Sequence, residues 1–440
     1  MAIDRKANWY KLDNAAKIIP STAKGANTRV FRLCCELKED VNCEILQEAL
    51  DHTIEEFPFF NCVLHRGLFW YYLEDSNLEP VVEEENTPAC LPLYIPGKKN
   101  LLYRVNYFGK RINLEMFHVL ADGTGAFMFF KSLIIRYLQI RHQLSEDIKP
   151  IDEFSVEEKN VDAFMDNYSR QRGLKQLKEM KAIRAYQVTG EVDDNLLPHL
   201  LEATVSSERF LELAHEYGTT VGVLCVAMYI KAVIQGMNRG QMKRHIVVSV
   251  PVNLRQFFQS GTARNFFGVI NIDYDPADYD GDLKSIIEPV DMDFKDKLAE
   301  DNIERTMNSY SALEHNYAIK MVPLPIKDFV IGRYDRAAKR GVTTSMSNLG
   351  RIKMPAEVED YIDRFSAFMT ASSQQVCVCS FRDKMTFGEV SPYKTHKTML
   401  NFIRCLTEAG IEVELGTNDY DTEVSKDADM PKVQGKNKRK

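Results

Sequence analysis

The sequence predicts an α/β (α+β) chain of two sheet-and-helix halves, and three observations carry that prediction. At 440 residues the chain exceeds the roughly 250–300 residues at which one hydrophobic core stops growing, so two lobes are expected. Strand-like and helix-like segments recur in both halves without the strict alternation of a doubly wound sheet. Hydrophobic residues make up 45% and charged residues 27% of the chain, which excludes the disordered, collagen-like and coiled-coil classes.

In chain order, Asp40 is placed to cap a helix over 40–58 whose apolar stripe is Val41, Ile45, Leu46, Ala49, Leu50 and Ile54, with Pro58 ending it. FFNCVLHRGLFWYYL reads as a hairpin turning at Arg66-Gly67. The acidic, proline-marked residues 79–99 read as a surface connection. A second hairpin joins LLYRVNYF to RINLEMFHV through Gly109-Lys110, a Gly-X pair that fits a type II′ turn. Period-2 alternation puts Ile112, Leu114, Met116 and His118 on one face of its second strand. ADGTG and the amphipathic AFMFFKSLIIRYLQIRH complete a strand, tight loop, helix unit with a histidine at the strand end.

Residues 145–200 are rich in Glu, Lys and Asp and read as a helical connection, which divides the chain into lobes 1–190 and 191–416. The second lobe opens with helices SSERFLELAHEYG and TTVGVLCVAMYIKAVIQGM, strands HIVVSVPVNL and NFFGVINIDYD, and one long charged helix over 280–320. Strands GVTTSMSNLG, FSAFMTAS, VCVCSFRD and KMTFGEVS follow, then helix THKTMLNFIRCLTEAG and strand IEVEL. Residues 417–440 are polar, end in KNKRK, and read as a frayed tail.

With 56 Lys plus Arg against 63 Asp plus Glu, the net charge of −7 gives no general attraction to nucleic acid or anionic lipid. The most apolar window, Val221 to Ile230, is half a membrane span, and the mixed-charge start MAIDRKANWYKLDN has no apolar h-region. A cytoplasmic location without a transmembrane segment is the expectation. Nine cysteines include no CxxC pair. Cys34 and Cys35 are adjacent while Cys377 and Cys379 alternate along a strand, a spacing that suits packed, reduced thiols rather than zinc or a disulfide framework. Oligomeric state is not legible.

The sharpest constellation is His118-Val-Leu-Ala-Asp122-Gly123. Three readings fit it. Asp122 is a good helix N-cap. His118 and Asp122 could ligate a metal, although no further His or carboxylate cluster lies nearby to complete a set. His118 could instead be a general base titrating near neutrality.

FHVLADGTG resembles the HxxxDG signature of the chloramphenicol acetyltransferase-like superfamily of CoA-dependent acyltransferases, and most of all its alcohol acetyltransferase branch. WYKLDNAAKIIPS resembles that branch's N-terminus, and the helix ending in FPFF the family's first long helix. SVPVNLR followed by ARNFFG resembles the second-half segment that carries the family arginine, and SMSNLG a strand of the alcohol and dihydrolipoamide acyltransferases. The matches run in family order over residues 8–350.

The resemblance implies two similar lobes, each a mixed sheet with helices, and an active-site tunnel between them. It implies that His118 is the general base, that Asp122 turns away from substrate to pair with Arg255, that Gly123 keeps the loop tight, and that Ser347 faces the developing oxyanion. The implied reaction moves an acyl group, acetyl first, from acyl-CoA as cosubstrate to a small-molecule alcohol, with no bound cofactor and no metal. Transfer to an amine or a glycolipid, and a noncatalytic acyl-CoA- or lipid-binding role, are the alternatives. Phe117 stands where condensation domains carry a second histidine, and the DFGWG sequence of the plant members is missing. Phe127, Phe130 and Phe266 are read as core packing rather than pocket lining. The CoA-contacting residues are not legible.

Overall fold

The computed structural model describes residues 8–166, 184–312, 321–370 and 372–418. Its strands, in chain order, are β1 (Trp9–Lys11), β2 (Val30–Leu37), β3 (Cys62–Arg66), β4 (Tyr71–Asp75), β5 (Glu83–Glu84), β6 (Tyr103–Phe108), β7 (Arg111–Phe117), β8 (His199–Ser206), β9 (Ile246–Asn253), β10 (Phe267–Tyr274), β11 (Thr344–Arg351), β12 (Ile362–Met369), β13 (Gln375–Phe381), β14 (Lys384–Ser391) and β15 (Glu414–Thr417). They form a five-stranded sheet in the order β12-β2-β7-β6-β5 and a seven-stranded sheet in the order β10-β9-β11-β13-β14-β8-β15, beside a small β1-β4-β3 sheet. Each large sheet carries its own core. Helices Cys43–Glu56 and Gly123–His142 pack into the first, and helices Val221–Gly236, Lys284–Lys297 and Lys397–Glu408 into the second.

The two lobes are interleaved through β12, which comes from the C-terminal half yet pairs antiparallel with β2 in the first sheet. It also leans on the second sheet. Thr386 donates to the Phe365 carbonyl at 2.9 Å, and a Cβ on Gly388 would stand 2.2 Å from the Ala367 carbonyl oxygen. Only glycine lets these two backbones approach so closely.

The hairpin over β6 and β7 forms as the alternation predicts, with Gly109 at φ +54 and Lys110 outside the left-handed region, as a type II′ turn requires. As a central strand, β7 is buried on both faces. Its polar face survives because Asn113 receives a partner in Asn106 at 2.9 Å, and Glu115 accepts from Arg32 at 3.1 Å and from the Cys90 backbone at 2.8 Å. Unpaired, such a carboxylate would cost several kcal/mol. Cys90, Ala89 and Val82 are buried as well, so the segment 79–99 is not simply a surface connection.

Other boundaries move for local reasons. Helix Cys43–Glu56 is capped by Asn42, whose side chain accepts from the Ile45 N–H at 3.0 Å, and Asp40 lies outside it. The polar stretch 145–200 is not a helical connection where it is described. It holds two single turns, Val156–Lys159 and Ala163–Asp166, and gives way to β8 at His199, while 167–183 lie outside the described residues. The long charged helix over 280–320 is two helices, Lys284–Lys297 and Glu300–Ala312; residues 313–320 lie outside the description. A further helix, Leu324–Lys339, was not expected from the sequence. Residue 417 ends β15, and the expected tail from 419 onward lies outside the described residues. All nine cysteines are free and eight are buried. Burial pushes the thiols of Cys377 and Cys379 up to about 12, which keeps them protonated. Among the described residues no single helix is long and apolar enough to cross a membrane.

Candidate active site

β7 ends at Phe117, and the chain turns at once. The Leu120 N–H donates to the Phe117 carbonyl at 3.0 Å, and Asp122 begins helix Gly123–His142. Asp122 does two jobs with its two oxygens. Oδ1 accepts from the Gly125 N–H at 2.8 Å, the N-cap bond. Oδ2 accepts from Arg255 Nη1 at 2.8 Å and from the Phe266 N–H at 2.7 Å. Capping and ion-pair readings are therefore both realised. The pair is buried, each side chain 7% exposed, and Arg255 is no surface charge.

Arg255 sits just after β9 and spends its other donors on the loop that follows. It bonds the carbonyls of Thr262 at 2.9 Å and Arg264 at 2.6 Å, and Asn253 Oδ1 at 3.2 Å. The guanidinium is thus a staple between the second-lobe loop 253–266 and the first-lobe HxxxDG turn. Two glycines permit the contact. A Cβ on Gly125 would lie 1.9 Å from the Ala263 carbonyl oxygen, and one on Gly123 would meet the Leu349 side chain at 2.6 Å. Gly123 was expected to tighten the loop, but the harder steric constraint falls on Gly125.

Residue Asn265, next to the stapled Phe266, lands on the histidine. Its Oδ1 lies 3.0 Å from His118 Nδ1, while its Nδ2 donates to Asp13 Oδ2 at 3.1 Å and to the Val119 carbonyl at 3.4 Å. Two acceptors on the nitrogen side fix the amide orientation. The oxygen must then face the ring, so Nδ1 carries the proton and Nε2 keeps its lone pair. Asp13 is fully buried. Desolvation pushes its carboxyl up to about 6, against the pull of Arg264 and of hydrogen bonds from the Ala16 N–H and Asn265.

The imidazole packs between Phe31 and Phe267, each ring 5.4 Å away, and keeps a partly exposed edge. Its backbone N–H donates to the Arg29 carbonyl at 3.0 Å. Arg29 itself adopts a left-handed φ of +56, a conformation that costs a non-glycine residue roughly 1 kcal/mol or more. Burial lowers the pKa of His118, outweighing the hydrogen bonds and the nearby Asp122 that raise it. The ring is therefore neutral at neutral pH.

Ser347 lies on β11 opposite Cys377 of β13, half-buried, and its hydroxyl makes no hydrogen bond among the described residues. Two positions on, Leu349 rests against Gly123. β11 thus reaches the HxxxDG turn, although Ser347 does not bond His118. Phe117 is buried and stacked on Tyr94 at 5.8 Å, and Phe127, Phe130 and Phe266 are core residues, as read from the sequence. Asn265 and Asp13 are the site residues the sequence did not single out. Both stand inside the quoted segments ARNFFG and WYKLDNAAKIIPS, but nothing local marks them. A surface cleft of about 600 Å³ lined by Thr204, Arg209, Lys384 and Glu412 contains none of these residues.

Two interleaved sheet-and-helix lobes with this turn between them identify the architecture. The fold is that of the chloramphenicol acetyltransferase-like and condensation-domain proteins. TRI101 of F. graminearum, complexed with coenzyme A and deoxynivalenol, superposes with a TM-score of 0.62 at 11% identity, over 92% of this chain and 99% of that one. TRI3 trichothecene 15-O-acetyltransferase from Fusarium sporotrichioides gives 0.59 at 9% identity, over 92% and 95%. The first condensation domain of the calcium-dependent antibiotic synthetase gives 0.58 at 14% identity, over 91% and 96%. No protein-family model and no curated protein sequence matches the chain.

Proposed function

We propose that this chain is a CoA-dependent acyltransferase in which His118 is the general base and a hydroxyl compound the acceptor. The observation that carries the reading is the Asn265 contact, which holds the proton on Nδ1 and leaves Nε2 as a lone pair at the open edge of a desolvated ring. Neighbours of the same fold, one complexed with coenzyme A and deoxynivalenol and one an O-acetyltransferase by name, support acyl-CoA as cosubstrate and favour a hydroxyl acceptor.

In the proposed reaction Nε2 takes the proton from the acceptor hydroxyl as its oxygen attacks the thioester carbonyl of acyl-CoA. The tetrahedral oxyanion then collapses, the carbon–sulfur bond breaks, and the imidazolium returns the proton to the leaving thiolate. Positioned proton transfer supplies about 10²- to 10⁴-fold. The Ser347 hydroxyl, without a hydrogen-bond partner among the described residues, is the proposed donor to the oxyanion, a contribution of about 10²-fold or more. Asp122 and Arg255 act through position, because their bonds to each other and to the Phe266 N–H hold the residue beside Asn265 in place, while Gly123 leaves room for Leu349 against the turn.

The test is product formation. Acetyl-CoA and longer acyl-CoAs are offered with pooled alcohols and amines, and products are read by mass. An ester supports the reading; an amide as sole product, or no CoA released from any acyl-CoA, overturns the O-acyl assignment.

A further inference from the structure

The helix Leu324–Lys339 is turned inside out for a soluble protein. Its carboxylates face the protein: Asp328 accepts from Ser21 at 2.6 Å, Arg66 at 3.0 Å and Tyr71 at 3.2 Å, and Asp335 pairs with Arg29 at 3.3 Å and Lys339 at 2.5 Å. Leu324 is buried at its start, but its larger apolar side chains beyond that face out. Ile326, Phe329, Val330 and Tyr334 are 54%, 62%, 57% and 68% exposed, and their spacing of three, four and eight residues puts them along one face. Met321 and Leu68 extend the patch, Leu68 lying beside the helix start because its carbonyl accepts from the Leu324 N–H at 2.9 Å. Every exposed charge from 324 to 340 is cationic: Arg333, Arg336 and Arg340.

We propose that this face docks on an anionic lipid bilayer. Soluble monomers rarely leave a contiguous apolar patch uncovered. A convex helix with a Phe and Tyr stripe flanked by arginines matches the bilayer interface, where rings enter the acyl boundary and guanidinium groups meet phosphates. With both acids of the helix turned inward and neutralised, the charge left on this face complements anionic headgroups. The net charge of −7 opposes any wider attraction, so the contact is confined to this patch.

The placement links docking to the candidate site. Asp335 holds the Arg29 side chain, and the Arg29 carbonyl holds the His118 N–H. One residue therefore separates the docking helix from the proposed base. Resting on the acyl-transfer reading, the acceptor class this favours is an amphiphilic alcohol held in the bilayer surface.

The experiment is co-sedimentation of the full chain with phosphatidylcholine vesicles that contain or lack phosphatidylglycerol. Binding to the anionic vesicles is expected, and it should weaken with salt. Arg333→Gln and Arg336→Gln should each lower partitioning about fivefold, and Phe329→Glu with Val330→Glu should abolish it with the circular-dichroism spectrum unchanged. Equal binding to both vesicle types, no binding, or binding indifferent to these variants overturns the proposal. So does a dimer in solution that Phe329→Glu dissociates, since the face would then be covered by a second copy. Turnover of a water-soluble alcohol without vesicles reads the acyl-transfer assignment separately. Turnover without vesicle binding overturns docking alone, whereas His118→Ala is expected to bind vesicles as the wild type does.

Discussion

Arg255→Ala probes the staple that holds the candidate site together. Both partners are 7% exposed, so the substitution leaves the Asp122 carboxylate in a desolvated place. Stranding a buried charge costs about 3–5 kcal/mol. Asp122 keeps the N–H groups of Gly125 and Phe266, which holds its share near the lower end, about 3 kcal/mol. The carbonyls of Thr262 and Arg264 lose their donors too, at about 1 kcal/mol for each one that water does not reach. A total of roughly 3–5 kcal/mol is expected. The assay is urea unfolding followed by circular dichroism for Arg255→Ala, Asp122→Ala and the double variant. Because either single change strands the other group, the double variant should be far less destabilised than the sum, with a coupling of about 2 kcal/mol or more. A coupling under about 0.5 kcal/mol, the level of an exposed ion pair, would refute the staple.

Asn265→Ala removes the contact that holds the proton on Nδ1, and kcat should fall about tenfold, the worth of one hydrogen bond, with the KM for acyl-CoA little changed; a kcat equal to wild type contradicts the positioning role. Because burial lowers the pKa of His118, the base stays deprotonated to lower pH, and the acid limb of the kcat/KM profile should have its midpoint below the 6.5 of an unperturbed imidazole. A midpoint above 6.5 would contradict it. Stability is a poorer readout of that titration. The folded state binds fewer protons than the unfolded state at His118, so this contribution is lost as pH falls below 6.5, whereas Asp13, pushed up to about 6, binds more and contributes in the opposite sense between about 4 and 6. Gly125→Ala forces a Cβ onto a backbone carbonyl and should cost about 3 kcal/mol, while Gly123→Ala meets only the flexible Leu349 side chain and should cost about 1 kcal/mol; melting temperatures in the reverse order would contradict the steric reading.

The strand, turn and helix around His118 were legible because each rests on a local signal: period 2 over β7, a capping Asp122, an apolar period near 3.6 thereafter. The Asp122–Arg255 pair was legible only through the resemblance, since 133 residues separate its members. Where the sequence misled, a nonlocal partner decided. FSAFMTAS reads as a strand, but nothing in it says that β12 joins a sheet begun near residue 30. β8 was hidden because HLLEATVS is buried almost throughout, between β14 and β15, and shows no alternation. The helix Leu324–Lys339 escaped notice for the reason that makes it of interest: among the described residues its apolar face has nothing to cover it. Asn265 and Asp13 look like ordinary loop and turn residues until segments near 13, 118 and 265 meet. At each point the missing information was the partner rather than the propensity.

The measurement that reaches the centre of the account is release of free CoA from acyl-CoA in the presence of an alcohol acceptor, compared between wild type and His118→Ala. Mass detection is needed, since nine cysteines would react with a thiol dye. The account predicts a loss of about 10²- to 10⁴-fold in the variant with its melting temperature close to wild type. Near-normal CoA release by a folded His118→Ala would contradict it.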